Sequence, residues 1–265
     1  MPEAPATLKP LAIVAAMDEE LRAVLARMPH AQAVSMAGRT CYCGRLHGHP
    51  VVAVLSRIGK VAAATTTTAL LERFQPRAVL FTGAAGGLAD QVRVGDLVIA
   101  DALLQHDMYA SPLFARHEVP LYGRAHFATD ATLRGVLAAA CATVLADAPR
   151  LLGEAVMAEF RIGTPTLHQG LIVSGDRFVS TSAESDRLRA ELPDALAVEM
   201  EGAAVAQVCT DYNVPFAMVR VVSDRADDAA GTDCLRFVAD VASRYSAAVV
   251  EAVLRSLPRA ANEPT

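Results

Sequence analysis

The 265-residue chain has no tryptophan, few aromatic side chains (5%) and only five cysteines. An odd number of cysteines cannot pair completely, and Cys41 and Cys43 have C-x-C spacing instead of the C-x-x-C spacing of zinc and redox sites. The first ten residues are rich in Pro and Ala and have no apolar stretch of the kind found in secretory signals. These features predict reduced, mostly buried thiols and a cytoplasmic protein.

Long apolar runs and an excess of basic charge are also lacking. No run approaches the ~20 apolar residues that span a bilayer. The formal net charge is −5, and the dispersed Lys and Arg residues predict no basic surface for a nucleic acid. His106-Asp107 and the pair His47 and His49 have no third member nearby, so we interpret His47 and His49 as turn residues. We therefore expect no nucleic acid, membrane or metal partner.

Hydrophobic residues make up 53% of the chain and charged residues 20%, a profile typical of a protein with a substantial core. The sequence contains no internal repeat, low-complexity tract or linker that would separate two domains. We expect one domain over residues 11–258, with short tails at 1–10 and 259–265.

Strand-like and helical patterns alternate along the chain. An apolar run at 11–16 is followed by a helical pattern, and a predicted helix at 60–74 is followed by a buried strand at 78–81. A hairpin is expected around the His-Gly-His-Pro turn, further strands at 96–104, 169–174 and 216–222, and further helices at 131–145, 201–212 and 237–257. This alternation predicts an α/β fold, a single-domain α/β/α sandwich with a mixed central sheet.

Polar clusters follow several predicted strands, at the positions where α/β sheets usually bind ligands. In the first cluster, Asp18, Glu19 and Glu20 open a helix, where the helix dipole stabilises carboxylates. One of them could instead face the cavity as a general base, because helical geometry forbids all three from pointing inward.

The second cluster is the glycine-rich run at 82–87. Glycines after a buried strand let backbone amides approach a ligand, although the run lacks the G-x-G-x-x-G spacing of a dinucleotide site. A simple glycine-rich turn is the alternative interpretation.

The last two clusters carry acidic residues beside apolar strands. Glu199 and Glu201 flank a methionine where a strand becomes a helix. They either accept hydrogen bonds from a pair of ribose hydroxyls or place negative charge at the helix N-terminus. Arg220 lies inside a buried strand that ends at Asp224. A desolvated carboxylate there can act as a proton donor, and a structural salt bridge is the competing interpretation.

Taken in order, these clusters resemble the nucleoside phosphorylase and nucleosidase superfamily, most closely the methylthioadenosine/S-adenosylhomocysteine nucleosidases. The resemblance covers most of the chain and implies a nucleoside phosphorylase-like fold. It rests on IVAAMDEEL (13–21), SRIGKVAAA (56–64), FTGAAGGL (81–88), VGDLVIAD (94–101), GLIVSGDRFV (170–179), AVEMEGAAVAQVC (197–209) and NVPFAMVRVVSDRAD (213–227).

The resemblance implies hydrolysis of the N-glycosidic bond of 5′-methylthioadenosine and S-adenosylhomocysteine, without metal or organic cofactor. Glu20 would activate water, Asp224 would protonate N7 of adenine, and Glu201 would hold the ribose hydroxyls. Phe178 would stack on the purine, Val179 would offer backbone hydrogen bonds, and Ile58 would contact the 5′-thio substituent. The other implied pocket residues, which line it or orient the acid and water, are Met17, Ala84, Gly86, Glu199, Met200, Arg220 and Ser223.

Two segments depart from the family pattern. Ala84 stands where the bacterial nucleosidases commonly have serine, and residues 106–123 differ from a shorter, more polar segment. In the family that segment reaches into the neighbouring subunit's pocket, so the resemblance implies a homodimer. Leu113 is the candidate for the cross-subunit contact, and a core position in its own chain is the alternative.

Three other functions stay open on sequence grounds. A phosphorylase would bind phosphate beneath the ribose, where the acidic run at 18–20 would repel it unless those carboxylates point away and Arg220 is free to bind an anion. Related hydrolases act on 5′-deoxyadenosine or futalosine-type nucleosides. A catalytically silent nucleoside-binding protein is the alternative from another class.

Overall fold

The computed structural model describes residues 8–226 and 234–258, so most of the predicted N-terminal tail and all of the tail at 259–265 lie outside the described residues. The described strands are β1 (Leu11–Ala15), β2 (Gln32–Met36), β3 (Arg39–Leu46), β4 (His49–Leu55), β5 (Ala78–Gly87), β6 (Leu97–Gln105), β7 (His126–Ala128), β8 (Leu167–Ser174), β9 (Ala195–Glu199) and β10 (Phe216–Asp224).

Helices connect these strands. They are α1 (Asp18–Leu25), α2 (Lys60–Phe74), α3 (Ala131–Ala146), α4 (Ala148–Leu152), α5 (Glu154–Glu159), α6 (Ser182–Glu191), α7 (Gly202–Asp211), α8 (Cys234–Phe237) and α9 (Ser243–Ser256), with a π-helical turn at Val238–Ala242 between the last two. None of the helices in the described ranges is both long and apolar enough to cross a membrane.

The strands form one mixed sheet, as predicted, in the order β10-β6-β8-β9-β5-β1-β4-β3-β2, with β7 paired to β6. Strand β10 pairs with β5 as well as with β6, so β10, β6, β8, β9 and β5 close into a ring. The sequence did not predict this closure. Strands β1, β5 and β10 run parallel, and their carboxyl ends therefore meet at one edge.

Small residues in β5 explain why the sheet can curl so tightly. The glycine-rich run at 82–87, for which a simple turn was the alternative interpretation, is the second half of β5 and pairs with β1, β9 and β10. Gly83 and Gly86 lie opposite Arg220 and Asp224 of β10, while Gly86 also lies opposite Val198 of β9. Glycine and alanine leave room for close backbone approach at such bends.

The core fills both faces of the sheet. In β1, Leu11, Ile13 and Ala15 pack on one face with α1, α3 and α9, whereas Ala12 and Val14 pack on the other with α2 and α7. A strand buried on both faces reads as a continuous apolar run, which is why this segment was predictable.

The hairpin turn differs from the prediction. His47 and Gly48 form it, both with positive φ, whereas His49 and Pro50 already belong to β4 and the His49 ring is fully buried. The turn assignment was therefore wrong for His49. Strand β2 and the three-residue β7 were not predicted, because β2 is largely exposed and β7 is too short to show a period.

Candidate active site

A cavity lies at the carboxyl ends of β1, β5, β9 and β10. Strand β9 runs antiparallel to β5, and its Ala197 and Val198 pair with Gly87 and Gly86 at the carboxyl end of β5. The cavity is lined by Ala16, Met17, Glu20, Ile58, Ala84, Ala85, Gly86, Arg177, Phe178, Val179, Val198, Glu199, Met200, Glu201, Ser223, Asp224 and Cys234.

Glu20 is the carboxylate of the first cluster that faces the cavity. Asp18 is exposed and Glu19 pairs with Arg22 at 3.2 Å, whereas the Glu20 side chain is fully buried. Its Oε2 accepts hydrogen bonds from the backbone N–H groups of Ala16 (3.3 Å) and Met17 (3.2 Å). Burial raises the pKa of Glu20, and the charge of Arg220 with these backbone donors opposes that rise.

Glu199 is a buried anchor with every oxygen already engaged. Its carboxylate accepts from the Ser174 hydroxyl, from the N–H groups of Glu201 (3.1 Å) and Gly202 (2.9 Å), and from Arg220 Nη2 (2.6 Å). The interpretation as a charge at the start of a helix thus holds for Glu199, since these amides open α7. Although it lines the cavity, it has little capacity left for a ligand.

Arg220 lies behind the cavity instead of lining it, which corrects the predicted pocket contact. The residue has 0% exposure, its guanidinium carbon is 4.0 Å from the centre of the Phe81 ring, and Nη2 is 3.7 Å from Glu201 Oε2. Gly83 makes room for it, because a Cβ there would lie 2.5 Å from Arg220 Nη1. The buried arginine therefore balances the carboxylates around it, with Nη2 bound to Glu199, while Nε and Nη1 make no hydrogen bond within the described residues.

Glu201 reaches the cavity from the residue that precedes α7. Its Oε1 accepts the Gly59 N–H at 2.8 Å, and Oε2 faces Arg220. Gly59 has a φ of +95°, a conformation that non-glycine residues rarely adopt. Burial and the neighbouring charge of Glu199 raise the pKa of Glu201, while Arg220 lowers it.

Asp224 ends β10 and is held by its own segment. Its Oδ1 accepts the Ala226 N–H at 2.7 Å, and its Oδ2 is 2.6 Å from the Ser223 hydroxyl. That hydroxyl is also 3.3 Å from the Ala85 carbonyl oxygen. Because a hydroxyl can donate or accept, Ser223 can serve Asp224 in either protonation state. The competing interpretation was that Asp224 forms a structural salt bridge. Arg220 instead pairs with Glu199.

Apolar side chains form the opposite wall and the mouth. Phe178 (48% exposed) and Ile58 (58% exposed) lie at the mouth, while Val179 and Met200 are more buried. Sequence reasoning did not pick out Ala16, Ala85, Arg177, Val198 or Cys234, although all but Cys234 adjoin residues that it did name. Cys234 carried no signal, because it lies ten residues after Asp224 and outside the motifs quoted above.

Leu113 lies outside the cavity of its own chain. It is 83% exposed, so the alternative of a core leucine is wrong. The segment at 106–123 is attached to the body through His106, His117 and Val119, which are buried. Across residues 8–226 and 234–258, His, Cys, Asp and Glu form no group of three or more that could hold a metal ion.

Comparison with known proteins agrees with this geometry. The family model of the phosphorylase superfamily matches residues 10–257. The 5′-methylthioadenosine/S-adenosylhomocysteine nucleosidase of Neisseria meningitidis, solved with methylthio-immucillin-A, is 36% identical over 94% of this chain and 100% of its own, with a TM-score of 0.81. The enzyme of Streptococcus pneumoniae, solved with 8-aminoadenine, is 32% identical over 94% and 100%, with a TM-score of 0.81.

A futalosine hydrolase of Helicobacter pylori is also similar, at 28% identity over 94% of this chain and 99% of that one, with a TM-score of 0.80. The family match spans nearly the whole chain, and two nucleosidases exceed 30% identity. The chain therefore belongs to the phosphorylase superfamily and, within it, to the family of the 5′-methylthioadenosine/S-adenosylhomocysteine nucleosidases.

Proposed function

We propose that the protein hydrolyses the N-glycosidic bond of 5′-methylthioadenosine and S-adenosylhomocysteine, releasing adenine and the 5-thio-substituted ribose. The observation that carries this proposal is one cavity that combines three differently held carboxylates, Glu20, Glu201 and Asp224, with an apolar mouth. The nucleosidases that match the chain support it.

Glu20 is the proposed base. Its burial raises the pKa, which makes the ionised carboxylate a stronger acceptor for a proton from water. Breaking the C–N bond builds positive charge on the ribose ring, and buried carboxylates beside the ring favour that transition state. General base catalysis of this kind contributes about 10²- to 10⁴-fold in rate.

Asp224 is the proposed acid, since the leaving adenine accumulates negative charge and needs a proton at N7. Ser223 can accept from a protonated Asp224 while it donates to the Ala85 carbonyl. Once the proton has passed to the purine, the hydroxyl can turn and donate to the carboxylate. Phe178, which lines the cavity, is the proposed stacking partner of the departing ring.

Glu201 is the proposed ribose ligand. Glu199, two residues earlier, uses its oxygens within the protein, while Glu201 lines the cavity, accepts one backbone N–H at Oε1 and has Oε2 3.7 Å from Arg220 Nη2. A carboxylate in this position can accept from vicinal hydroxyls.

Hydrolysis is favoured over phosphorolysis by the charge of the site. A phosphate anion would meet Glu20, Glu199 and Glu201, and Arg220 is already paired at 2.6 Å with Glu199. The acidic run itself contributes less than expected, because Asp18 and Glu19 point away. Water, which is neutral, is the nucleophile that this arrangement admits.

The 5′ substituent defines the alternatives. A futalosine-type nucleoside is the second candidate substrate, for which the similarity to futalosine hydrolase is the support. 5′-Deoxyadenosine would fit the same catalytic plan, whereas a silent binding protein would have no use for both a base and an acid.

We also propose a homodimer in which Leu113 completes the partner's pocket. Leu113 and Leu121 (92% exposed) project from one irregular segment, and the mouth at Ile58 and Phe178 is open. Sedimentation velocity should give the dimer mass, and Leu113→Ala should raise KM without changing that mass. A monomer with full activity would contradict this arrangement.

A role in the cytoplasm, within methionine recycling, agrees with the proposed products and with five free cysteines. A single catalytic domain over residues 11–258 also remains a proposal.

The decisive experiment incubates the purified protein with methylthioadenosine, with and without phosphate, and identifies the sugar by mass spectrometry. Free methylthioribose without phosphate is expected. A sugar 1-phosphate formed only with phosphate would establish a phosphorylase instead. Parallel rates with S-adenosylhomocysteine, 5′-deoxyadenosine and futalosine rank the substrates, and no release of adenine from any adenine nucleoside would refute the proposal.

A further inference from the structure

Three charged residues meet beside the cavity without lining it. Lys60 opens α2, Asp107 follows β6, and Asp176 follows β8. Lys60 Nζ donates to Asp107 Oδ1 at 2.6 Å and lies 4.0 Å from Asp176 Oδ2. We name these residues the Lys60–Asp107–Asp176 cluster.

Backbone hydrogen bonds tie the same three segments together. Asp176 Oδ1 accepts the Lys60 N–H at 2.7 Å, and Asp107 Oδ2 accepts the Asp176 N–H at 2.9 Å. Burial raises the pKa of Asp107, but the hydrogen bonds from Lys60 and Asp176 outweigh it and hold that pKa below its ordinary value. The Asp107 carboxylate is thus an ionised bridge between two segments, Asp176 links the same segments through its hydrogen bond from Lys60, and charge-assisted hydrogen bonds are the stronger kind.

Two of these segments carry the rim of the cavity. Ile58 and Gly59 precede Lys60, and the Gly59 N–H is the donor that holds Glu201. Phe178 lies two residues after Asp176. The packing is close, because a Cβ on Gly59 would lie 3.2 Å from Asp176 Oδ1.

The third segment is attached to the rigid part of the molecule. Gln105, the last residue of β6, accepts from Lys60 Nζ at 3.0 Å and donates to Gln207 of α7 at 2.8 Å. His106 packs against the turn before Asp176 so closely that Gly175 has no room for a Cβ, which would lie 2.3 Å from His106 Nε2. The rim is therefore braced against the sheet and α7.

We propose that Lys60, Asp107 and Asp176 are positioning residues that hold the Ile58–Gly59 loop and the Phe178 loop at the separation one adenine nucleoside requires. This inference rests on the proposed function. The cluster acts through Glu201 and Phe178, which contact the ribose and the purine in both the bound substrate and the transition state. The base and the acid are held by other contacts, from Met17, Ala16 and Ser223.

This division predicts a specific kinetic signature. Loss of binding that is equal in the ground state and the transition state raises KM and leaves kcat nearly unchanged. We expect Lys60→Met to raise KM for methylthioadenosine about 10-fold and to change kcat less than about 3-fold. Lys60→Arg, which keeps the cation, should restore at least half of the change in log KM.

Asp107→Asn is the second variant. It keeps an acceptor for the Asp176 N–H but weakens the Lys60 contact, so it should raise KM by a smaller factor. Arg150→Met is the control. It removes an exposed ion pair, Arg150 with Asp147, and neither residue lines the cavity. It should leave KM unchanged.

The outcomes separate this inference from the proposed function. Wild-type protein that releases no adenine refutes the function itself. Wild-type turnover with an unchanged KM in both Lys60→Met and Asp107→Asn refutes the positioning role alone, as does a loss confined to kcat or to the thermal midpoint. Should Lys60→Met fail to fold, Asp107→Asn decides the question, and calorimetric titration with adenine checks that the affinity for the purine falls in step with KM.

Discussion

Replacing Arg220 by methionine tests how the buried charges of the site are balanced. Methionine fills part of the space of the arginine side chain with apolar atoms but removes the guanidinium cation that lies over the Phe81 ring. Glu199 then loses its 2.6 Å partner, and Glu201 loses the cation at 3.7 Å, both in a region with almost no exposure. The variant leaves three buried carboxylates without a compensating charge.

The expected cost follows from this burial. Breaking a buried ion pair by removing one partner costs about 3 to 5 kcal/mol. For a chain of this size, each kcal/mol lowers the thermal midpoint by about 2 to 4 °C, so we expect a fall of about 6 to 20 °C. Arg220→Met with Glu199→Gln should recover part of the loss, since glutamine accepts the amide hydrogen bonds without a charge.

The loss should also depend on pH. Arg220 lowers the pKa of Glu20 and Glu201, so its removal raises both further above their ordinary values. When a carboxyl group has a raised pKa in the folded state, the free energy of unfolding falls as pH rises. The fall begins near the unfolded pKa of about 4.3 and is complete above the folded pKa. The deficit of Arg220→Met should therefore be small at pH 4 and largest at pH 8. The acidic limb of kcat/KM should move to higher pH, because Glu20 must be ionised.

Far-UV circular dichroism is the suitable assay, because the chain has no tryptophan to report unfolding. Melts of the wild type, both single variants and the double variant at pH 4 and pH 8 give the required comparison. A single-variant loss below about 1 kcal/mol, or a double-variant loss equal to the sum of the two singles, would refute the charge balance described above.

Three further predictions concern neighbouring residues. Glu20→Gln should lower turnover by about 10²- to 10⁴-fold yet raise the thermal midpoint at pH 8, with a gain that shrinks toward pH 4; equal or lower stability at pH 8 would contradict the burial argument. Asp224→Asn should lose most turnover but still bind methylthioadenosine in calorimetry, whereas unchanged turnover would remove it from the acid role. Gly83→Ala, whose Cβ would lie 2.5 Å from Arg220 Nη1, should lower both stability and kcat/KM, while Gly135→Ala in open space on α3 should not.

The sequence was most informative where a local pattern determines the structure. The apolar run of β1 and the helical pattern after it left two interpretations of the acidic run open, and the family resemblance pointed to Glu20, which is the carboxylate that faces the cavity. The alternation of strands and helices predicted the α/β class. These features depend on residues within one or two turns of each other.

Features that depend on distant partners were not predictable. Glu199 and Glu201 share one spacing pattern, yet Ser174 and Arg220 satisfy the first, and Gly59, 142 positions away, holds the second. The closure of the sheet between β5 and β10 left no periodic signal either. In that ring Gly83 makes room for Arg220, whereas Gly86 lines the cavity beside Asp224.

The closed ring also bears on local opening. Strands β5, β9 and β10 each pair on both sides, so the backbone beneath the proposed reacting atoms has no edge from which to fray. Amides of this ring should exchange with solvent deuterium mainly through global unfolding, whereas amides near Ile58 and Phe178 should exchange through cheaper local openings. The strands beneath the cavity should thus exchange slowly, while the segments at Ile58 and Phe178 can open to admit a nucleoside without unfolding of the domain.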